Sequence, residues 1–352
     1  MDTVVAIPVR DEAKRIGNCL AALSRQSLPP SHVVVLLNNC SDGTAAVVKA
    51  LPETSYQLHI LERQLAGSAA SAGIARGMSL HHAASLIRDG LILTTDADGE
   101  VPADWIELNV DAIEKGADAV CGRAIIDPIE AFFIPQHLHD DDAREVAYVQ
   151  ILDQIRSIVL PDPADPWPRH QEESGASLAV TASIFRRIGG VPRLPSGEDR
   201  ALIASLRMID ARVRHDPRIS VVVSGRIEGR ARGGMAETMR RRMNQQDEFV
   251  DERIEPAWPA FRRILLQKQL ELLRRYPARR HGYSGLFQIA PALMAEAVSA
   301  AYFGRGWSLI EEASPLLSPR RVRFVDLPHE TASGQSILRL VSNVYTTELA
   351  AA

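Results

Sequence analysis

Two pairs of carboxylates stand where this chain could do chemistry. Asp96 and Asp98 follow Leu91-Ile92-Leu93-Thr94-Thr95 and precede Gly99, so an apolar strand runs into a turn that carries two acids at spacing i, i+2. Glu198 and Asp199 follow Pro195-Ser196-Gly197 and precede the apolar series Leu202, Ile203 and Leu206, which puts them at a helix start. Carboxylates at the carboxyl end of a central strand suit a hard divalent cation, Mg2+ or Mn2+, which in turn would hold a diphosphate. Taken singly, each pair has a plainer reading: a polar strand end, or a cap on the next helix. Only a consistent surrounding pattern outweighs that reading.

The elements that must position these acids alternate. Residues 3–8 read as a buried strand, followed by the polar loop Val9-Arg10-Asp11-Glu12 and, from Ala13, a helix with Ile16, Cys19, Leu20 and Leu23 at helical spacing. A second strand (32–37), the loop Asn38-Asn39-Cys40-Ser41-Asp42-Gly43-Thr44 and a second helix (45–51) repeat the unit. A weaker strand (58–61), a glycine- and alanine-rich helix (68–87) and the strand 91–95 follow, and Pro102 is expected in the first turn of the next helix. Strands alternating with helices at this spacing imply right-handed crossovers and a mostly parallel sheet. All three polar loops then fall on one edge, where ligands bind in open sheets. No Gly-x-Gly-x-x-Gly follows the first strand and no Gly-x-x-x-x-Gly-Lys-Ser/Thr occurs, which argues against nicotinamide and P-loop chemistry.

The second half is less regular. A strand is expected over 117–125 and a helix over 143–159, with Asp140-Asp141-Asp142 capping it; His137 and His139 beside those acids give a weaker metal reading. The proline-rich run 161–168 cannot be regular structure, and Trp167 within it is expected to pack on the body. A strand over 174–180, a short helix stopped by Gly189-Gly190, a helix over 200–209 and an edge strand over 219–223 complete the expected sheet region. From 226 to 281 arginines cluster, among them Arg240-Arg241-Arg242, Arg262-Arg263, Arg274-Arg275 and Arg279-Arg280. Their plain reading is the solvated faces of amphipathic helices; the sharper one is a patch facing phosphate or anionic lipid.

The 352 residues can bury a full core, and a net charge of -4 gives no drive toward nucleic acid. Three scattered cysteines (Cys19, Cys40, Cys121) make no disulfide framework or zinc knuckle. With no basic, apolar leader at Met1 and no apolar run long enough to span a bilayer, a soluble, cytoplasmic protein is expected.

In order and spacing, Val4-Val5-Ala6-Ile7-Pro8-Val9-Arg10-Asp11-Glu12, Asn39-Cys40-Ser41-Asp42-Gly43-Thr44, Gly73-Ile74-Ala75-Arg76, Thr95-Asp96-Ala97-Asp98, Gly175-Ala176, Phe185-Arg186-Arg187-Ile188-Gly189-Gly190 and Gly197-Glu198-Asp199 resemble the family 2 glycosyltransferases. The resemblance covers about two-thirds of the chain. It implies an α/β GT-A fold, Rossmann-like, with a mostly parallel mixed sheet flanked by helices over 1–225 (a nucleotide-sugar half, 1–125, and an acceptor half, 126–225); the C-terminal third matches no motif of the family, and its apolar stripes make 226–352 a mainly helical extension. It implies that Asp98 binds Mn2+ or Mg2+ and that Asp96 binds the ribose or the metal's hydration shell. Pro8, Arg10, Glu12, Asn39, Asp42 and Arg76 would line the nucleotide pocket, and Asp199 would be the base, with Glu198 beside it at the acceptor. The transfer so implied is a single inverting displacement from a nucleotide-sugar to the hydroxyl of a glycan, lipid-linked or small-molecule acceptor, with any membrane contact peripheral and through the arginine-rich region.

One departure is Asn38-Asn39, where many relatives carry two aspartates. An amide both donates and accepts, so a UDP-sugar stays first and a GDP-sugar second. His215 and His170 are weak candidates for a further metal ligand. Two competing readings are a nucleotidyltransferase, whose first loop should be glycine-rich as Pro8-Val9-Arg10-Asp11-Glu12 is not, and an inactive scaffold, against which the retention of Asp96, Asp98 and Asp199 argues.

Overall fold

A computed structural model describes residues 1–52, 54–226, 235–276 and 283–351. The chain divides into two compact units. The first comprises Met1–Pro135, Pro168–Arg207 and Ala211–Met243; the second comprises Gln136–Trp167, Met208–Asp210 and Asn244–Ala352.

The first unit is built on a seven-stranded mixed sheet of order β3-β2-β1-β4-β6-β5-β7. In chain order its elements begin β1 (Thr3–Val9), α1 (Ile16–Ser24), β2 (His32–Asn38), α2 (Thr44–Lys49), β3 (Gln57–Arg63), α3 (Ala72–Leu86), β4 (Leu91–Thr94), α4 (Trp105–Glu114), β5 (Ala119–Ile126) and the short α5 (Pro128–Ala131). After α6 (Gln136–Val159), which groups with the second unit, come β6 (Leu178–Thr181), α7 (Ala182–Arg187), α8 (Glu198–Arg207), β7 (Val213–Val223) and α9 (Met235–Asn244). Strands β1, β2, β3 and β4 are mutually parallel, β6 runs antiparallel between β4 and β5, and β7 pairs parallel with β5. The three polar loops therefore do share one edge.

Burial explains the apolar runs. Val5, Ile7 and Val9 of β1 pack with Ile16, Leu20 and Leu23 of α1 and Trp105, Ile106 and Val110 of α4. Val4 and Ala6 face the other way, toward Leu80 and Ala83 of α3, Phe185 of α7 and Leu202 and Leu206 of α8. A strand buried on both faces reads as continuous apolar sequence, not alternation. The indole of Trp105 donates to Ser177 Oγ at 2.9 Å, so the buried N–H is satisfied.

Several expectations need correction. Pro102 does not sit in the first turn of α4: its carbonyl accepts from Trp105 N–H at 3.1 Å, a turn that leads into a helix starting at Trp105. Asp140, Asp141 and Asp142 do not cap a helix, because α6 begins at Gln136 and the acids lie inside it; Asp141 is paired with Arg144 and with Gln246. The first turns of α6 are almost wholly polar, so no apolar stripe marks its start. Among the described residues no group of three or more His, Cys, Asp or Glu is arranged to hold a metal, so His137 and His139 form no such cluster. Trp167 is 41% exposed instead of packed away. The edge strand begins at Val213, six residues earlier than its apolar end suggests, since Pro217 and the charged residues around it mask the pattern.

The second unit contains α6, α10 (Ala257–Arg275), α11 (Ser284–Phe287), α12 (Pro291–Ser299), α13 (Phe303–Ala313) and α14 (Leu327–Ala351). Tyr148, Ile155 and Val159 of α6 pack with Val250, Ile254, Ile264, Ile337 and Val341. A second cluster joins Leu266, Leu270 and Leu273 of α10 to Phe287, Met294, Trp307 and Ile310. Some of the clustered arginines are structural here and not merely solvated: Arg263 pairs with Glu255 and Glu311, and Arg274 donates to the carbonyls of Ala297 and Val298. Arg279 and Arg280 lie outside the described residues. Among the described residues no helix is long and apolar enough to cross a membrane.

Candidate active site

Arg76 is the centre of the carboxyl edge. It lies on the inner face of α3 with its side chain 7% exposed. The guanidinium donates from Nε to Glu198 Oε1 (2.9 Å), from Nη1 to Thr94 Oγ1 and Gly175 O (both 2.8 Å), and from Nη2 to Asp96 Oδ1 (2.5 Å). Burial alone would disfavour its charge, but Asp96 and Glu198 reverse that and raise its pKa. One side chain thus ties the turn after β4 to the start of α8.

Two glycines make room for it. A Cβ at Gly175 would lie 2.5 Å from Arg76 Cζ, so only a residue without one lets the guanidinium reach the Gly175 carbonyl. A Cβ at Gly73 would meet Leu194 O at 2.4 Å and Glu198 Oε2 at 2.7 Å; here α3 and the loop before α8 touch through backbone, with Gly73 N–H donating to Pro195 O at 3.3 Å.

Asp96, Ala97, Asp98 and Gly99 form a tight turn closed by Gly99 N–H to Asp96 O at 3.0 Å. Asp98 Oδ2 lies 3.1 Å from Arg226 Nη2, and the same guanidinium grips both oxygens of Glu12 at 2.9 and 2.5 Å. Burial, then the charges of Asp96 and Glu12, push Asp98 up to about 6 against the opposing pull of Arg226. Asp199 receives Gly175 N–H on Oδ2 (2.9 Å) and Arg200 N–H on Oδ1 (2.8 Å). A carboxylate has about four lone-pair sites, so these bonds orient it without exhausting it.

The structure therefore brings Glu12, Arg76, Asp96, Asp98, Glu198 and Asp199 into one connected arrangement. The other expected pocket residues stand at the same edge, largely holding its loops. Asp42 accepts from Thr44 N–H and Oγ1 and from Ala13 N–H, and Thr44 Oγ1 in turn accepts from Glu12 N–H at 2.8 Å. Arg10 is exposed and donates to Ala70 O at 3.1 Å, and Pro8 is half-buried in β1. Asn39, at φ 54°, donates to Leu65 O and accepts from Leu65 N–H, both at 2.9 Å; asparagine tolerates that left-handed backbone better than most residues. Neighbouring Asn38 is 2% exposed, and its Oδ1 is one of the few buried polar atoms with no hydrogen-bond partner among the described residues.

A family model described as glycosyl transferase family 2 matches residues 4–165. Those residues belong to glycosyl transferase family 2. The glycosyltransferase domain so defined contains the first strands, both polar loops, Arg76 and the Asp96–Asp98 turn. A search of curated proteins finds no match. Among solved structures, S. aureus TarS 1-349 in complex with UDP-GlcNAc is similar, at 15% identity, TM-score 0.49 and coverage of 99% of this chain and 92% of that one. So is a mannosyltransferase of Pyrobaculum calidifontis in complex with GDP-Man and Mn2+, at 16% identity, TM-score 0.44 and coverage of 98% and 86%.

The donor set at the glycosyltransferase domain's edge fits a hard divalent cation. Its oxygens come from Asp98 and Asp96, and Mg2+-type ions are commonly held by one or two carboxylates with substrate phosphates and water completing the shell. Among the described residues no group of three or more His, Cys, Asp or Glu is placed to hold a metal, so His215 and His170 form no such group with these acids; their rings pack edge to face at 5.7 Å, and His215 lies 3.8 Å from Glu173. Sequence reasoning missed Arg226, which was hidden as the first member of an arginine-rich run. Its signal was position, directly after the apolar end of β7. It also missed Glu130, which accepts from Arg15, Ser224 Oγ and Gly225 N–H and fixes the backbone from which Arg226 projects.

Proposed function

We propose that this chain moves a sugar from a nucleoside-diphosphate donor to an acceptor hydroxyl in one inverting displacement. The observation that carries the reading is the bridge by Arg76 between Asp96 and Glu198, which joins the Asp-x-Asp turn to the Glu198-Asp199 pair across 102 residues of sequence. Asp98, with Asp96, holds Mn2+ or Mg2+, which supplies charge neutralisation for the departing diphosphate. Asp199 takes the proton of the acceptor hydroxyl; its two backbone N–H bonds fix its direction. Glu198 is held inward by Arg76 and borders the acceptor side. Asp96 contacts the ribose, and Pro8, Arg10, Glu12, Asn39, Asp42 and Arg76 frame the nucleotide. Residues 1–125 form the donor half, 126–225 the acceptor half and 226–352 the helical extension. The donor is a UDP-sugar first and a GDP-sugar second, and the acceptor is a glycan, a lipid-linked molecule or a small molecule. The reaction proceeds in the cytoplasm, with any membrane contact peripheral and through the arginine-rich region.

A thermal-shift panel of UDP, GDP, ADP, CDP and dTDP, each with and without Mn2+, tests this. A ligand at about 100 times its Kd stabilises the folded state by about 2.7 kcal/mol. One uracil or guanine diphosphate should raise the midpoint, and only with the cation. No response to any diphosphate in folded protein would overturn the reading.

A further inference from the structure

Arg226 places a fixed positive charge on the carboxylates that a divalent cation would use. Its guanidinium spans Glu12 and Asp98, with three contacts between 2.5 and 3.1 Å, while its side chain keeps 26% exposure. The backbone beneath it is pinned: Gly225 N–H donates to Glu130 Oε2 at 2.7 Å, and Arg226 N–H to Ser224 Oγ at 3.2 Å. A long side chain on a fixed base, partly open to solvent, can leave its partners without unfolding anything.

We infer that Arg226 is an internal competitor of the divalent cation for Asp98, and that a nucleoside diphosphate relieves the competition by drawing the guanidinium onto its phosphate oxygens. The inference rests on the donor-and-cation reading of this site. The charges set the order of events. Glu12, Asp98 and Arg226 sum to -1. A divalent cation added while Arg226 stays would make the trio +1, with two positive centres sharing one carboxylate. A diphosphate supplies the missing negative charge and presents oxygens that a guanidinium matches in bidentate fashion. Cation and nucleotide therefore bind with positive coupling, each weak alone, and Arg226 is a positioning residue whose effect is on when the cation binds. Couplings of this kind between two ligands commonly amount to about 5- to 150-fold.

The test is calorimetric titration of the full chain with Mn2+ alone, and with Mn2+ in the presence of the diphosphate selected by the panel, for wild type, Arg226→Gln and Arg226→Lys. Arg226→Gln should bind Mn2+ alone at least about 5-fold more tightly than wild type, and the tightening of Mn2+ binding by nucleotide should shrink by a similar factor. Arg226→Lys, which keeps the charge, should behave nearer to wild type. Circular dichroism and the melting midpoint check that each variant folds; if Arg226→Gln does not fold, the comparison of wild type with Arg226→Lys at rising ionic strength stands in. Salt screens the partly open ion pair to some degree, so in both proteins the nucleotide-induced tightening should narrow. Unchanged or weaker Mn2+ affinity in folded Arg226→Gln, or a salt-independent coupling, overturns the inference. Failure of wild type to bind any diphosphate with Mn2+ overturns instead the functional reading beneath it.

Discussion

Replacing Arg76 by methionine isolates the bridge on which the site depends. The substitution keeps much of the aliphatic stem but removes four hydrogen bonds. The consequences for the two acids differ. Asp96, 36% exposed, regains water and loses little, as surface ion pairs do. Glu198, only 7% exposed, is left as a buried charge without its partner. Breaking a buried pair in this way typically costs about 3–5 kcal/mol. For a unit of roughly 200 residues, at about 2–4 °C per kcal/mol, the midpoint should fall by about 6–20 °C. Scanning calorimetry reads this directly, and a second variant locates the cause: Arg76→Met combined with Glu198→Gln removes the stranded charge and should recover at least about 1 kcal/mol. A single variant melting within about 2 °C of wild type, or a double variant no more stable than the single, would refute the argument that Arg76 neutralises Glu198.

Three further outcomes are expected. Asp199→Asn should lower sugar transfer by about 10²–10⁴-fold while nucleotide affinity, read by calorimetry, stays the same; wild-type turnover would reduce Asp199 to a helix cap. Gly73→Ala drives a methyl against Leu194 O and Glu198 and should destabilise by about 1–3 kcal/mol in urea titration, with turnover falling as α8 shifts. Glu173 opposes its own burial through His215 and Arg207, which together lower its pKa below the ordinary 4.5. A depressed carboxylate stabilises the fold above the unfolded value and loses that contribution as pH falls through the folded one. Melting midpoints should therefore drop as pH falls below the ordinary carboxylate value of 4.5 in wild type, and drop less steeply in Glu173→Gln.

Much of the first unit was legible because parallel strands buried on both faces declare themselves as apolar runs, and β1, β2 and β4 lie within a residue or two of where those runs fall. Asp96, Asp98, Glu198 and Asp199 were legible by the same logic, as acids at the ends of such runs. The partners of these acids were not. Thr94 looks like any strand threonine, and Arg226 like any member of a basic run, until folding brings the residue just beyond β7 onto Glu12 of the first loop. Asn39 could be read only as an amide with free donors and acceptors; folding commits both to Leu65, a contact 26 residues away with no sequence signature. The polar start of α6 defeated periodicity because a helix face made of charged residues carries no apolar stripe to count.

The route of the chain through α6 bears on how the protein is made. Tyr148, Ile155 and Val159 leave the ribosome early, yet the α14 residues they pack against, Ile337 and Val341, are encoded roughly 180 positions later. At about 5–20 residues per second, α6 waits about 9–36 s for those partners. Throughout that interval its apolar stripe is open to any passing nascent chain or chaperone. Ending translation at residue 225 would make the delay permanent, so a shortened gene encoding the sheet alone should yield insoluble product unless α6 is also excised or its stripe rewritten as polar.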